Sequence, residues 1–340
     1  MSELIIQKNI PLKPYHTFGI DVKAKYFVNI QTMDELDSFT NNFDKIPQPV
    51  YFLGGGANTL FTKDFEGTVI RNTVAYLELE KENEEYVEFT VGAGVIWDDF
   101  VQFCVENDFY GIENLSAIPG HVGGAAIQNI GAYGVEAGQY ISGVTYSDLA
   151  KNEICFIGNK ECQFAYRDSI FKHELAGKYI MFVHFRLPKE KKLVLSYGRI
   201  KEELAKDGIS DPGIEDVSKI IRKIRASKLP DPAEYGNAGS FFMNPVIEWE
   251  HYLWLKEKYP DMVAYELEDR NIKVAAAWLI DHLGWKGRAH KGAAVHDKQA
   301  LVLINKNNAK GNDIVELSQM IQDDVRKHFD ISLEPEVKIL

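Results

Sequence analysis

Two glycine-rich stretches are the first residues in this chain whose types and spacing could do chemistry. Gly54-Gly55-Gly56-Ala57-Asn58 follows the apolar run Val50-Tyr51-Phe52-Leu53. Bare backbone N–H groups on such a loop can cradle phosphate. The spacing is not that of a Rossmann turn, which needs G-x-G-x-x-G opening a helix. Gly54 and Gly56 fit the first pair, but Thr59 stands where the third glycine should be, and the residues that follow read as another strand. The same glycines would also serve a tight turn that requires positive φ. The second stretch runs from Ile118 to Gly134 and sets Gly120, Gly123, Gly124, Gly131 and Gly134 among Gln128, Asn129 and Tyr133. Glycines without Cβ atoms let backbone approach a flat ligand, and neighbouring amides can meet its polar edge. Close packing of backbone on backbone uses glycine in the same way, and the residues alone leave both readings open.

Periodicity shows which elements would position these loops. Val50–Leu53 reads as a short buried strand, and Asp64-Phe65-Glu66-Gly67 as a turn into a second strand at Thr68-Val69-Ile70. Val87, Phe89 and Val91 alternate with Glu88 and Thr90, the pattern of a half-buried strand. Trp97, Phe100, Val101 and Cys104 recur at helical spacing, with Gly111 as the expected stop. Strand-like runs return at 140–147 and 179–187. A helix at 216–227 would place Val217, Ile220, Ile221 and Ile224 on one face. Lys228-Leu229-Pro230-Asp231-Pro232 then marks a boundary, because proline does not continue a helix. Two more helices are expected at Val274–Leu283, with Gly284 as the stop, and at Asp313–His328. A short extended tail, Glu334-Pro335-Glu336-Val337, closes the chain. Strands and helices mix without regular βαβ alternation, so the expected class is α+β.

Composition narrows the partners. The 340 residues carry 38 Lys+Arg against 50 Asp+Glu, a formal net charge of −12, and 45% are hydrophobic. That excludes a disordered or collagen-like chain and suffices for a large core. At about 100–200 residues per domain, the length points to two or three domains. The acidic balance, with no Lys/Arg block, argues against nucleic acid as a partner. It is compatible with a small anionic ligand in a locally basic pocket. Cys104, Cys155 and Cys162 form no C-x-x-C pair, and an odd count fits reduced cytosolic thiols. Met1-Ser2-Glu3-Leu4-Ile5 carries no basic segment ahead of an apolar stretch, and no run approaches the ~18 apolar residues of a membrane helix. The expectation is a cytoplasmic chain with no membrane partner and no metal site.

Five motifs in register carry a resemblance: Leu53-Gly54-Gly55-Gly56-Ala57-Asn58; the 118–134 stretch; Tyr166-Arg167-Asp168-Ser169; Gly236-Asn237-Ala238-Gly239-Ser240-Phe241-Phe242-Met243-Asn244-Pro245; and Glu334-Pro335-Glu336-Val337. Together they closely resemble the UDP-N-acetylenolpyruvoylglucosamine reductase family, over nearly the whole chain from Thr17-Phe18-Gly19-Ile20 onward. Ser196-Tyr197-Gly198, in an insertion that the shorter type lacks, resembles the family's first type. The resemblance implies an FAD cradle of the vanillyl-alcohol oxidase (PCMH) type, built from two N-terminal α+β domains, with a C-terminal α+β substrate domain. In this sequence those would be 1–72, joined by the tail 330–340, then 73–227 and 228–329.

The resemblance also implies residue roles. Leu53, Gly54, Gly55, Gly56, Ala57, Asn58, Gly120, Gly123, Gly124, Gln128, Asn129, Gly131, Tyr133 and Tyr166 would line a non-covalently held FAD. Ser240, Glu336 and Arg167 would be catalytic. Tyr197, Lys228, Asn244, Tyr265, Lys273 and Gln299 would contact UDP-N-acetylglucosamine enolpyruvate. NADPH would be the electron donor, and the chain a monomer. His121 receives no role, since that position varies among relatives. The chain also stops four residues after Glu336, short of some relatives, which bears on how the tail is anchored and not on its chemistry.

The implied reaction suits these residue types. A vinyl ether bearing a carboxylate accepts hydride from the flavin N5 at its terminal carbon, because no side chain supplies hydride. Negative charge then builds on the neighbouring carbon and the carboxylate. A guanidinium at Arg167 can grip that carboxylate; its bland alternative is a structural salt bridge with a residue such as Asp168. The Ser240 hydroxyl is protonated at neutral pH and can donate to an enolate carbon; its alternative is a turn serine bonded to its own backbone. Glu336 beside an anion must carry a proton or a cationic partner such as Arg167. Lys228, Lys273, Lys286, Arg288 and Lys291 are available to a diphosphate, although the Trp285–Gly292 run also reads as a solvated loop. The competing readings are a PCMH-type flavin oxidase of a sugar or alcohol, and a nucleotide-binding regulatory module.

Overall fold

The computed structural model describes residues 4–267 and 270–340. The chain forms two compact units. The first comprises the segment up to Ile10, Ala24–Gly55 and Glu66–Ser227; the second comprises Pro11–Lys23, Gly56–Phe65 and Lys228–Leu340. The mixture of helices and strands is α+β, as the sequence implies.

In the first unit, a four-stranded sheet has the order Gln7–Pro11, Lys23–Ile30, Phe65–Asn72, Val50–Leu53. Val50–Leu53 lies where the apolar run placed it and pairs in parallel with the stretch from Thr68 to Arg71. Its partner strand begins earlier than expected, at Phe65. Gly67 is therefore a strand residue and not part of a turn. A Cβ there would lie 2.0 Å from the Pro49 carbonyl oxygen, so glycine permits the close approach.

An antiparallel five-stranded sheet follows, ordered Glu153–Gly158, Ile141–Asp148, Tyr179–Pro188, Tyr86–Gly92, Leu77–Glu82. Val87, Phe89 and Val91 are buried, as their alternation predicts. The helix Trp97–Glu106 covers them with Trp97, Phe100, Val101 and Cys104, in one core with Val183 and Phe185. The Phe100 and Phe185 ring centroids are 4.8 Å apart. This helix ends at Glu106 with Asn107 as its cap, so Gly111 is not its stop. Gly111 has φ 119° and lies under the Tyr140 ring, where a Cβ would come within 2.3 Å of Cε1. The helix Ile214–Lys228 buries Val217, Ile220, Ile221 and Ile224 against Ile200 and Leu204 of the helix Ile200–Lys206.

The second unit holds two three-stranded sheets. One is ordered Val246–Glu248, Asn271–Val274, Ala264–Glu266; the other Ala289–His290, Ala293–Val295, Leu303–Asn305. Its helices are Trp249–Lys258, Ala276–His282 and Gly311–Phe329. The second starts after the expected Val274 because that residue ends a strand, and Gly284, at φ 70°, follows its end. The tail strand Lys338–Ile339 pairs in parallel with Thr59–Leu60. No helix among the described residues is long and apolar enough to cross a membrane.

Candidate functional site

In the first unit the two glycine stretches meet. A Cβ on Gly55 would lie 2.8 Å from the Gly120 Cα, and one on Gly54 would lie 3.8 Å from the His121 Cβ. Gly55 therefore serves backbone packing. Gly124 is different: it is exposed, and nothing stands within 4 Å of its missing Cβ. The stretch is not a plain loop, because Val122–Gln128 is helical. Tertiary packing makes it so. Val122, Ala125 and Ala126 are buried, and the missing Gly123 Cβ would sit 2.8 Å from Ala93. Backbone bonds sew its start down: Trp97 N–H to the Gly120 carbonyl at 3.0 Å, Val122 N–H to Val95 at 2.9 Å, Gly123 N–H to Ala93 at 3.0 Å.

On the other stretch, no acceptor among the described residues takes the N–H groups of Gly55, Gly56 or Ala57. His121, only 7% exposed, bonds the Asn72 backbone through one ring nitrogen, while its Nδ1 is buried without a partner. Burial, with Arg71 adding to it, lowers its pKa to about 4, so the ring is neutral at pH 7.

Beyond the short helix, Gly131-Ala132 and Val135-Glu136 form a hairpin whose two central residues, Tyr133 (φ 50°) and Gly134 (φ 82°), are both left-handed. Glycine fits such a turn and tyrosine strains it. The Tyr133 carbonyl accepts from Asn114 Nδ2 at 2.9 Å, and the Tyr197 Cβ would lie 3.4 Å from a Cβ on Gly134. Gln128 is buried beside Asn129. The Asn129 amide is committed to Glu136, Ala165 and Gly138, which ties this end together.

Arg167 is also left-handed, at φ 55°, in a turn closed by paired bonds between Ala165 and Asp168. Its Nη2 donates to the Gly131 carbonyl at 2.6 Å, and its guanidinium lies 5.4 Å from the centre of the Tyr166 ring. The Asp168 carboxylate turns instead to His173, with both oxygens within 2.9 Å of Nε2.

In the second unit, Ser240 sits between Gly239 and the fully buried Phe241 and Phe242. It forms a bridge with Val302, and Phe241 N–H donates to the Leu301 carbonyl at 2.7 Å. The tail runs along the other side. Glu336 N–H donates to the Phe241 carbonyl at 2.8 Å, and Met243 N–H to Glu334 at 3.0 Å. Ser240 and Glu336, distant in sequence, thus lie on adjoining extended segments. The Ser240 hydroxyl has no hydrogen-bond partner among the described residues, so it is not a turn serine closed on its own backbone. Asn58 has a role the spacing does not reveal: its Nδ2 donates to the Glu336 carbonyl at 3.1 Å. Only the pairing of tail and loop could have signalled it.

The expected substrate residues fall in separate places. Tyr197 is half-exposed in the first unit. In the second, Tyr265 and Lys273 are direct cross-strand partners. Asn244 accepts the Ala276 N–H at 3.0 Å at the start of a helix, and Lys228 is exposed. Gln299 precedes Val302, the bridge partner of Ser240, and its carbonyl takes the Val302 N–H at 3.1 Å. Much of the basic run is neutralised: Lys286 pairs with Asp281 at 2.7 Å, Lys291 with Glu316 at 2.6 Å, and Arg288 lies over the Trp285 ring at 5.1 Å. That run behaves as a solvated, ion-paired loop.

FAD fits the first unit's wall. Unmatched N–H donors stand at Gly55, an unmatched buried acceptor stands at His121 Nδ1, and Gly124 leaves bare surface. Comparison with known proteins agrees. Residues 24–155 match the model of an FAD binding domain, and residues 231–340 that of the UDP-N-acetylenolpyruvoylglucosamine reductase C-terminal domain. The reductase of Bacteroides fragilis (strain YCH46) is 44% identical over 338 residues, covering 98% of this chain and 100% of that one. That of Flavobacterium johnsoniae is 41% identical, covering 98% and 99%. The crystal structure of the reductase from Thermus caldophilus superposes with a TM-score of 0.67 over 99% of both chains at 21% identity, a likeness of fold. The chain belongs to the UDP-N-acetylenolpyruvoylglucosamine reductase family and is an FAD-dependent oxidoreductase of peptidoglycan precursor synthesis.

Proposed function

We propose that the chain reduces UDP-N-acetylglucosamine enolpyruvate to UDP-N-acetylmuramate with NADPH as the electron donor. FAD, when bound, carries the electron pair from the nicotinamide to the vinyl ether. The N–H groups of Gly55, Gly56 and Ala57 hold the cofactor's phosphates. Arg167 holds the substrate carboxylate, where negative charge accumulates, and a charge-assisted fork is the strongest neutraliser a side chain offers. Ser240 Oγ–H then donates its proton to the carbon beside that carboxylate. Glu336 assists, either protonated or paired with a cation, since a bare carboxylate would repel the developing charge. Tyr197, Lys228, Asn244, Tyr265, Lys273 and Gln299 hold the nucleotide diphosphate and sugar. The chain acts as a cytoplasmic monomer, divided functionally at 1–72 with 330–340, 73–227 and 228–329.

The observation that carries this reading is the Ser240 hydroxyl. It is held on a backbone pinned on both sides, immediately before two buried phenylalanines, and uncommitted to any described residue. A regulatory module has no use for such a group. The test is NADPH oxidation by the purified yellow protein, expected only when the enolpyruvyl nucleotide is added. Oxygen-dependent turnover of a sugar or alcohol without NADPH would favour the oxidase reading instead, and a flavin that neither donor reduces would favour the module.

A further inference from the structure

Asn114 is fully buried and lies on the short helical turn Glu113–Leu115, which is pinned in the core of the first unit. Trp97 Nε1 donates to the Leu115 carbonyl at 3.0 Å, Gly111 N–H to Glu113 Oε2 at 2.7 Å, and Ser116 Oγ to the Glu113 carbonyl at 2.7 Å. From this fixed base the Asn114 amide nitrogen donates twice, to the Tyr133 carbonyl at 2.9 Å and to the Val194 carbonyl at 2.9 Å. Both partners are carbonyls, so the amide nitrogen and not its oxygen faces them. That orientation leaves Asn114 Oδ1 buried without a partner. Stranding a buried acceptor costs stability, and an apolar side chain of the same shape would avoid it. The amide is therefore kept against the preference of the core, and what it achieves is the joining of two chain segments.

Those two segments interlock. A Cβ on Gly134 would lie 3.3 Å from Val194 Cγ1 and 3.4 Å from the Tyr197 Cβ, and one on Gly198 would lie 3.8 Å from Tyr133 Cδ1. Tyr133, Leu193 and Leu195 pack on one core with Ile200 and Leu204. The two are not fastened equally. The hairpin carrying Tyr133 has ties of its own: the pairing of Gly131 with Glu136, the Arg167 bond to the Gly131 carbonyl, and the Asn129 bond to Glu136. Residues 190–196 lie outside helix and strand, and among the described residues no backbone–backbone hydrogen bond ties them down. Lys189, just before them, bonds the Glu85 carbonyl, and Arg199, just after, caps the next helix. Between those ends Asn114 holds the Val194 carbonyl. Three residues further on stands the half-exposed Tyr197.

We propose that Asn114 is a positioning residue: by fixing the Val194 carbonyl against the Tyr133 turn, it sets where Tyr197 is presented to the sugar nucleotide. The inference rests on the function proposed above, in which Tyr197 holds that nucleotide. Asn114 itself touches neither substrate nor cofactor and acts through Tyr197. Its loss releases the 190–196 stretch and leaves the hairpin in place, so the effect falls on nucleotide binding and spares the flavin. Ordering a released stretch again on binding costs conformational entropy, which is read as weaker affinity.

The test is a binding titration with UDP-N-acetylmuramate, read from the perturbation of the flavin absorbance, in a double-mutant cycle. Asn114→Leu keeps the branched shape of the side chain and removes both donors. Its dissociation constant for the nucleotide should rise roughly 10-fold, within the range for buried acceptors left unpaired. FAD affinity and the rate at which NADPH bleaches the flavin should stay within about twofold, the accuracy with which independent changes add. In a Tyr197→Ala background the same substitution should move the nucleotide constant by no more than about twofold, because the side chain it positions is gone. Asn114→Ser, which can donate to one carbonyl only, should fall between, and it serves if the leucine variant does not fold. Full weakening in the Tyr197→Ala background, FAD lost in step with the nucleotide, or a nucleotide constant that does not move would each overturn the proposal. If the unaltered protein fails to bind UDP-N-acetylmuramate, the functional reading falls, and the proposal with it.

Discussion

The glycine wall of the first unit and the serine segment of the second are built on opposite principles. The wall acts through backbone N–H groups, and its sequence works by leaving atoms out: Gly55 has no room for a Cβ against Gly120, and Gly124 leaves its face bare. The serine segment acts through side-chain oxygens. Its backbone is locked by the bridge to Val302, the bond from Glu336 to Phe241, and two phenylalanines with at most 1% exposure. Adding atoms should damage the first, and removing them should damage the second while leaving its frame intact.

Ser240→Ala should produce the largest effect and separate the two regions most cleanly. NADPH should still bleach the flavin, since nothing in the first unit changes. Reoxidation by the enolpyruvyl nucleotide should slow about 10²-fold or more, the range for a lost general acid. Stopped-flow traces in which both steps slow equally would remove Ser240 from proton transfer. The thermal midpoint should barely move, because the hydroxyl bonds nothing in the described structure.

Gly55→Ala tests the other principle. The new methyl would stand 2.8 Å from the Gly120 Cα, and the Gly120 stretch cannot retreat while Trp97, Val122 and Gly123 hold its backbone. Overpacking of this kind costs about 1–3 kcal/mol. The variant should therefore melt earlier and release flavin on dilution. A variant that keeps its colour and its thermal midpoint would show the two loops to be less tightly locked than the geometry requires.

His121 sharpens the comparison through pH. Its folded pKa, about 4, lies below the ordinary 6.5. The unfolded chain therefore binds a proton first, and the neutral ring's stabilisation is fully present above about 6.5 and is lost as pH falls toward 4. The slope approaches about 1.4 kcal/mol per pH unit inside that window. His16, His184 and His296 are also pushed down by burial, so the measurement is a difference. Denaturant midpoints of His121→Asn should depend less on pH between 4 and 6.5 than those of the unaltered protein. Identical slopes would place the acid sensitivity elsewhere.

Much of this organisation is legible in the chain, and what is not has identifiable causes. Val50–Leu53 stands where a four-residue apolar run predicts it, and Val217, Ile220, Ile221 and Ile224 are buried as their spacing demands. The helix Trp249–Lys258 escapes because it buries little beyond Leu255 and so shows no apolar stripe. The helix Val122–Gln128 escapes because three of its first five residues are glycine or valine, and packing against Ala93 overrides their propensity. The Asn58 contact to Glu336 depends on chain segments remote in sequence. Periodicity carries no information about it. The motifs mark which residues matter, whereas their partners belong to the fold.

Gly124→Ala is the smallest change and the one that best discriminates between the two uses of glycine. The residue is exposed within the short helix, and its added methyl would meet no protein atom within 4 Å. Replacing a helical glycine by alanine stabilises by about 0.5–1 kcal/mol, so the flavin-free protein should melt slightly later. If that bare face exists to admit the cofactor, the methyl should intrude on FAD and weaken its binding about tenfold, the lower end of an overpacking cost. The two readouts, flavin-free thermal midpoint and FAD dissociation constant, then move in opposite senses as measures of stability. No packing role predicts that divergence. If FAD binds the variant as tightly as before, Gly124 is bare for reasons of helix geometry alone, and the wall's capacity to receive a ligand rests on the Gly55 amide without it.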